Sequence, residues 1–493
     1  MGCDMDSSTL SSRIATLVHE HFDALPPRSK PTIHPDGSRE WIPMTGIVVV
    51  KGENTQSENL TCVAVTTGAK CLSASQIPQC RGLVLHDCHA EILAIRAFNY
   101  WLLNECRGVL GQLPSPYVRR RQHQDVDNEW PPLELYPDIK IYMYCTCAPC
   151  GDASMELCMA AQEDPTPWEL PPAPAPATTL ASASTNTANT TDTTTQDALI
   201  GRAHFQLLGV VRRKPARTDA ESTRSKSCSD KLALRQVSSL LCHETSLLIA
   251  PTANVYLAGI ILPEEEISRV ACDRAFGAGG RMEALCGRGW PVTTHREEDG
   301  SGYGYRFQPF RILSIPSGQI DRLYPFRKPP PCPSDDKPSK PKTKPGNVSA
   351  IWTIAPSHAS PLPDHNPKSL PKLRGSNTGL YETVINGVKQ GNRASAPLAR
   401  GASALCRARL WGVVRDVVGA DSCEEHDMWK GVLGASAYDE FKGVPEYVGG
   451  AVKARGQAIR DAREVLKGWV PNTGDEEWGL DVLTDPKKQK RSH

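Results

Sequence analysis

Residues 85 to 98 read Leu-His-Asp-Cys-His-Ala-Glu-Ile-Leu-Ala-Ile-Arg-Ala-Phe. Apolar Ile92, Leu93, Ile95, Phe98 and Leu102 recur at helical spacing, which predicts a helix with one buried face. Asp87 suits its N-cap. At the mouth of this helix stand His89 and Glu91. An imidazole there can ligate a metal, while a carboxylate two residues on stays free to carry protons. A lone His-x-Glu triplet is common by chance. Its weight comes from a second stretch, Ala148-Pro149-Cys150-Gly151-Asp152, which follows the strand-like run Ile139 to Tyr144 and the segment Cys145-Thr146-Cys147. Pro149 suits the first turn of a helix running through Met155 and Leu157.

Around these two stretches the chain alternates strands and helices. Gly46 to Val50 and Cys62 to Thr66 are β-branched runs separated by a polar stretch, which predicts an early hairpin. Phe205 to Val211 and Asn254 to Leu262 read as further strands, Ser229 to Leu241 as a helix, Trp352 to Ile354 as a short strand, and residues 396 to 467 as mainly helical. That alternation predicts an α/β sheet with helices packed on it. Residues 163 to 199 are rich in Pro, Ala and Thr, a composition that buries too little apolar surface to offset its ordering entropy. A Pro/Lys linker spans 328 to 346. These breaks divide the chain into an N-terminal extension (1–40), a main domain (41–475) and a basic C-terminal tail (476–493).

Composition excludes several classes. The chain has 493 residues, 39% of them hydrophobic, enough for a sizeable core. With 56 basic and 55 acidic residues the net charge is +1, so bulk electrostatics points to no nucleic-acid partner and any such partner must be met by local patches. There is no signal-like apolar run and no membrane-length stretch. The 17 cysteines therefore fit a reduced intracellular protein, cytoplasmic and/or nuclear, with a few metal thiolates among inert thiols. Nothing in the sequence requires a membrane or a protein partner.

Zinc-dependent base deaminases carry His-x-Glu followed by Pro-Cys-x-x-Cys. His89, Glu91, Pro149 and Cys150 fit, but Ala153 stands where the second cysteine belongs. Two residues can supply the missing ligand. Cys147 lies on the strand side of Cys150. Cys228, in Ser227-Cys228-Ser229-Asp230-Lys231, opens a later helix whose amide dipoles favour a thiolate, and is preferred.

Taken in order, His89-Ala90-Glu91, Pro149-Cys150-Gly151-Asp152 and Ser227-Cys228-Ser229-Asp230-Lys231 resemble the adenosine deaminases that act on RNA and the related eukaryotic tRNA adenosine deaminases. The resemblance spans roughly residues 40 to 475. It continues in Thr67-Gly68-Ala69-Lys70-Cys71, Ile385-Asn386-Gly387-Val388-Lys389-Gln390-Gly391 and Gly468-Trp469-Val470. It implies a cytidine-deaminase-like three-layer α/β/α core with a mixed sheet, extended by a mainly helical C-terminal part. It also implies zinc on His89, Cys150 and Cys228, with Glu91 as the catalytic proton carrier. A structural inositol hexakisphosphate is implied beneath the site, held by Lys70, Arg96, Lys231, Lys389, Tyr438, Lys442, Lys453 and Trp469. The chain departs from the family at Ile95, where a second arginine is usual, at Leu234-Arg235, where Arg-Trp is usual, and at His86, where asparagine is usual.

Relatives that edit messenger RNA carry double-stranded-RNA-binding modules ahead of the deaminase domain, and the stretch before residue 86 leaves no room for one. The expected substrate is thus tRNA, at the adenosine immediately 3′ of the anticodon of alanine tRNA. Unstacked loop bases suit recognition by shape. Another structured RNA and an inactive RNA-binding role are the alternatives. Arg119 to Arg121, Arg212 to Lys214, Arg407 and Arg409 are candidate phosphate contacts, and Lys487 to Arg491 a further basic patch.

Overall fold

A computed structural model describes residues 9–35, 38–121, 130–161, 207–214, 221–291, 304–328, 343–359, 379–420, 427–443 and 450–484. The low-complexity insertion, most of the Pro/Lys linker and the basic run at 487–491 lie outside them. One mixed eight-stranded sheet organises the chain. Its strands are β1 (Met44–Lys51), β2 (Asn59–Thr67), β3 (Ile139–Cys145), β4 (Leu257–Pro263), β5 (Arg311–Ile315), β6 (Ser349–Ile354), β7 (Gly379–Ile385) and β8 (Val388–Lys389). They lie in the order β5-β4-β3-β1-β2-β6-β7-β8. β3, β4 and β5 pair in parallel, and every other pairing is antiparallel.

Period-two alternation assigns the faces. Ile47, Val49, Ile141, Met143, Ile260 and Ile351 join the core around helix α2 (Ala90–Leu110). Val48, Val50, Tyr142, Tyr144, Ile261 and Trp352 point the other way, onto helix α1 (Leu10–Asp23). The three-layer α/β/α arrangement is therefore present, and the early hairpin forms as β1 and β2. Within α1, Ile14, Ala15, Val18 and Phe22 recur at helical spacing and are fully buried, each large one contributing about 1.5–3 kcal/mol. Gly46 of β1 admits this helix closely, since a Cβ there would lie 2.5 Å from the Val18 side chain.

After β8 the chain is mainly helical: Arg407–Ala420, Asp427–Gly434, Tyr438–Lys442 and Gly450–Leu466. Residues past 475 continue this packing, with Trp478 buried against Trp411 and stacked on Tyr438.

Three local expectations are corrected. His89, not Asp87, is the N-cap of α2, because the Asp87 carboxylate is committed to Lys214, Lys231 and Ser225. The segment after Pro149 does not start a helix at once. Gly151 sits at φ +104°, a left-handed excursion that delays regular helix until Met155–Ala160. The described part of the run 205–211 is not a strand. Gly209, at φ +74°, turns its N–H onto Asp152 Oδ1 at 2.8 Å.

Candidate active site

The site lies where α2 and β3 begin and end against the helix Cys228–Ser238. The short strand Asp87–His89 pairs with Ala69–Cys71 and delivers His89 to the first turn of α2. β3 ends at Cys145, and the following loop carries Cys150 beneath it. Ser227 caps the helix Cys228–Ser238 through its hydroxyl on the Asp230 N–H, which places Cys228 at the helix start. The two cysteine loops are bonded together. Ser229 N–H donates to Cys150 O at 3.0 Å, Ser229 Oγ to Pro149 O at 3.1 Å, and Cys228 N–H to Cys150 Sγ at 3.4 Å. Gly151 is required here, since a Cβ would fall 2.2 Å from Ser227 Oγ.

His89 Nδ1 stands 3.7 Å from Cys150 Sγ and 3.6 Å from Cys228 Sγ, and the three donor atoms lie within 4.8 Å of one another. Zinc bond lengths of about 2.0–2.3 Å in a tetrahedron demand donor separations of roughly 3.5 Å, so the spacing fits. The chemistry fits too, because two soft thiolates and an imidazole suit zinc. Left to protons alone, the donors share them unevenly. A hydrogen bond from Cys228 holds the Cys150 thiol well below its ordinary range against the cost of burial. Burial and the nearby Cys150 push Cys228 well above it. At His89, burial and the Lys214 ammonium work against a charge, yet Cys150 and Cys71 prevail and push its pKa to about 10. A cation seated among these donors relieves that charge. Cys147, the alternative ligand, belongs to no such donor cluster among the described residues.

Glu91 lies in the first turn of α2, 3% exposed. Burial raises its carboxyl above the ordinary range, His89 opposing and Cys150 reinforcing the shift. A carboxyl so raised exchanges protons more readily near neutrality. Lys214 was missed as part of this site. Its ammonium is buried, 2.9 Å from Asp87 Oδ2 and 3.3 Å from Cys228 Sγ. With Arg212 also buried, neither is a surface phosphate contact as expected. Arg119 and Arg407 are likewise engaged internally, with Glu134 and Asp475.

The eight residues expected around a polyanion divide. Arg96, Tyr438 and Lys442 gather with Arg235, Arg407 and Arg455, which sequence reading did not single out for this role. Arg96 and Arg455 donate to the carbonyls of Leu405 and Leu241, and Arg407 lies over the Tyr438 ring at 5.9 Å. Burial, then Arg455 and Arg96, lower Arg235 to about 10. Lys442 has exposed surface, yet desolvation lowers it to about 8, with Glu244 opposing and Arg455 reinforcing the shift. The nearby carboxylates are Glu244 and Asp475. Lys231 binds Asp87 and Ser225. Trp469 lies between Lys226 and Arg463, at 5.4 and 5.5 Å. Lys389 pairs with Glu382 at 3.1 Å, Lys70 is half-buried, and Lys453 is exposed. His86, the departure from asparagine, contacts Asp475 at 2.9 Å and Asn472 at 3.1 Å.

An α/β sheet that presents a His/Cys/Cys donor set beside a buried, non-ligating glutamate has the arrangement of a zinc-dependent base deaminase. The adenosine-deaminase (editase) domain pattern matches residues 64–471, and this chain belongs to that family of hydrolases acting on adenosine. It is 30% identical to "tRNA-specific adenosine deaminase 1" of Schizosaccharomyces pombe over 95% of this chain and 97% of the relative. The Saccharomyces cerevisiae protein of the same name is 32% identical over 52% of this chain and 59% of its own length. The mouse "Double-stranded RNA-specific editase B2" is 31% identical over 22% of this chain and 14% of its own. No helix among the described residues is long and apolar enough to cross a membrane.

Proposed function

We propose that this protein hydrolytically deaminates adenosine to inosine in tRNA, at the adenosine immediately 3′ of the anticodon of alanine tRNA, within the cytoplasm and/or nucleus. The observation that carries the chemistry is the convergence of His89, Cys150 and Cys228 beside buried Glu91. His89, Cys150 and Cys228 would hold zinc, which would supply a water acidic enough to give hydroxide near neutral pH. Glu91 takes the proton from that water and delivers it to the purine ring nitrogen, which makes C6 electrophilic. After the water oxygen bonds to C6, Glu91, again deprotonated, takes the remaining proton of that C6 hydroxyl and passes it to the amine; the C6–N bond breaks, ammonia leaves, and the C6 carbonyl and N–H of inosine remain. The base must be flipped out or already unstacked to reach the site. Support for tRNA is the near full-length match to the Schizosaccharomyces pombe relative. The much shorter editase match makes another structured RNA the alternative. Glu91 argues against an inactive RNA-binding subunit, since such a role has no need of the proton carrier.

We further propose that the cluster of cations Arg96, Arg235, Lys442 and Arg455 holds inositol hexakisphosphate. Clustered, desolvated cations are costly unless an anion offsets them.

Incubating the protein with total tRNA and mapping inosine tests the main reading. Inosine beside the alanine anticodon is the expected result. Inosine elsewhere overturns the assignment of position, and none at all overturns the activity.

A further inference from the structure

Each candidate metal-binding cysteine is followed two residues on by an aspartate: Cys150-Gly151-Asp152 and Cys228-Ser229-Asp230. Both carboxylates are fully buried, where an unpaired charge is strongly unfavourable. Each is met by an arginine, and both arginines come from one short stretch outside the two cysteine loops. Arg274, on the helix Arg269–Phe276, binds Asp152 through Nε–Oδ1 at 3.0 Å and donates from Nη2 to the Asp152 carbonyl at 3.0 Å. It also grips Glu156, with Nη2–Oε2 at 2.9 Å. Arg281 binds Asp230 through Nη1–Oδ1 at 2.6 Å and is itself 5% exposed.

The stretch joining them is tightly wound. Arg281 N–H donates to the Arg274 carbonyl at 2.9 Å, and Gly277 N–H to the Asp273 carbonyl at 2.8 Å. A Cβ on Gly280 would lie 2.4 Å from both the Arg274 and Asp273 carbonyl oxygens. The backbone that carries the two arginines is therefore one compact turn. Arg274 grips the Asp152 residue through two nitrogens, Nε to the carboxylate and Nη2 to the carbonyl, which restrains direction as well as distance, while Arg281 holds the Asp230 carboxylate through Nη1.

We propose that Arg274 and Arg281 are positioning residues of the metal centre, a two-armed clamp that sets the separation of Cys150 and Cys228. The proposal rests on the reading of His89, Cys150 and Cys228 as metal ligands. Each aspartate lies two residues from its thiolate, so freedom at the carboxylate passes through two peptide units to the sulfur. Bonds between the cysteine loops, such as Ser229 N–H to Cys150 O, link the loops to each other. The arginines tie both to a third element. A metal site loses affinity when its donors wander from the required spacing, and removal of an outer partner typically costs about 10- to 100-fold in affinity.

The full-length protein is stripped of metal and its zinc affinity measured by chelator competition. Cobalt(II) is then added as a spectroscopic probe of the thiolate ligands. Arg274→Met and Arg281→Met are expected to weaken zinc binding by about 10- to 100-fold and to shift the thiolate-to-cobalt charge-transfer bands. The Arg→Lys variants, which keep charge but not the fork, should recover part of the affinity. Arg13→Met, which breaks the distant surface pair Arg13–Glu58, should change neither. Wild-type affinity and cobalt spectra in both Met variants overturn the proposal. Loss of the metal-free fold in both Lys variants also overturns it, since the arginines would then be supporting the fold rather than the centre. If the His89→Ala, Cys150→Ala and Cys228→Ala variants each keep zinc at wild-type affinity, the ligand assignment itself is at fault.

Discussion

Glu91 is a carboxylate buried beside thiolates, and burial favours its protonated form. It remains useful because His89 and Lys214 pull the other way, leaving a group able to accept and return a proton. Glu91→Ala should keep zinc at the wild-type ratio while deamination falls by about 10²–10⁴-fold; undiminished turnover would remove Glu91 from the mechanism. Gly151→Ala tests the loop. It places a Cβ against Ser227 at a positive φ, so stability should drop by more than about 1 kcal/mol in urea unfolding. Zinc affinity should fall with it. At this scale the sequence was most readable where chemistry is local. His89, Glu91 and Cys150 stand out by spacing, whereas the last ligand is a choice between Cys147 and Cys228 in which only the helix-start position of Cys228 tips the preference. Lys214 was misread because a lysine in a basic run looks like a surface charge until burial against Asp87 is seen.

The strands were legible for a physical reason: alternate residues face different helical layers, so Val48 and Ile47 must both be apolar. The segment after Pro149 was not legible, because one glycine dihedral decides where that helix begins. Helix α1 carries a consequence of its own. His19 is buried with Nε2 2.8 Å from Tyr144 Oη, and burial lowers its pKa from 6.5 to about 3. The unfolded chain takes up this proton near pH 6.5 and the folded chain only near 3, so stability falls as pH drops through that window. From pH 7 to pH 5 this one group should cost about 2 kcal/mol. His19→Gln, neutral at both pH values, should show that much less loss between urea midpoints at pH 7 and pH 5. An equal loss in the variant would mean that His19 is not the titrating group.

At the scale of the molecule, the cations of the C-terminal half lie far apart in sequence. Arg96, Arg235, Lys442 and Arg455 span most of the chain, and no motif spacing relates them. Arg235 follows Leu234, so the guanidinium displaced from one position stands at the next, within the field of Arg455 and Arg96. Net charge near zero hid this concentration completely. Protein dialysed exhaustively and then denatured should release a polyphosphate detectable as phosphorus. Arg455→Met should release less and unfold at a lower temperature. Phosphorus-free wild-type protein of full activity would sink the inositol hexakisphosphate assignment.

The position of α1 bears finally on how the chain is born. This helix leaves the ribosome long before the segments that cover it, since its covering surface includes Gln319, hydrogen-bonded to Ser12, and Trp352, whose ring lies 4.9 Å from that of His21. At ordinary synthesis rates the wait between those segments is about 15 to 65 seconds. Throughout it, Ile14, Val18 and Phe22 present an apolar stripe with no finished sheet to receive it. Nascent chains of this protein should therefore engage holdase chaperones through α1 until the sixth strand emerges, and deletion of α1 should shorten that engagement.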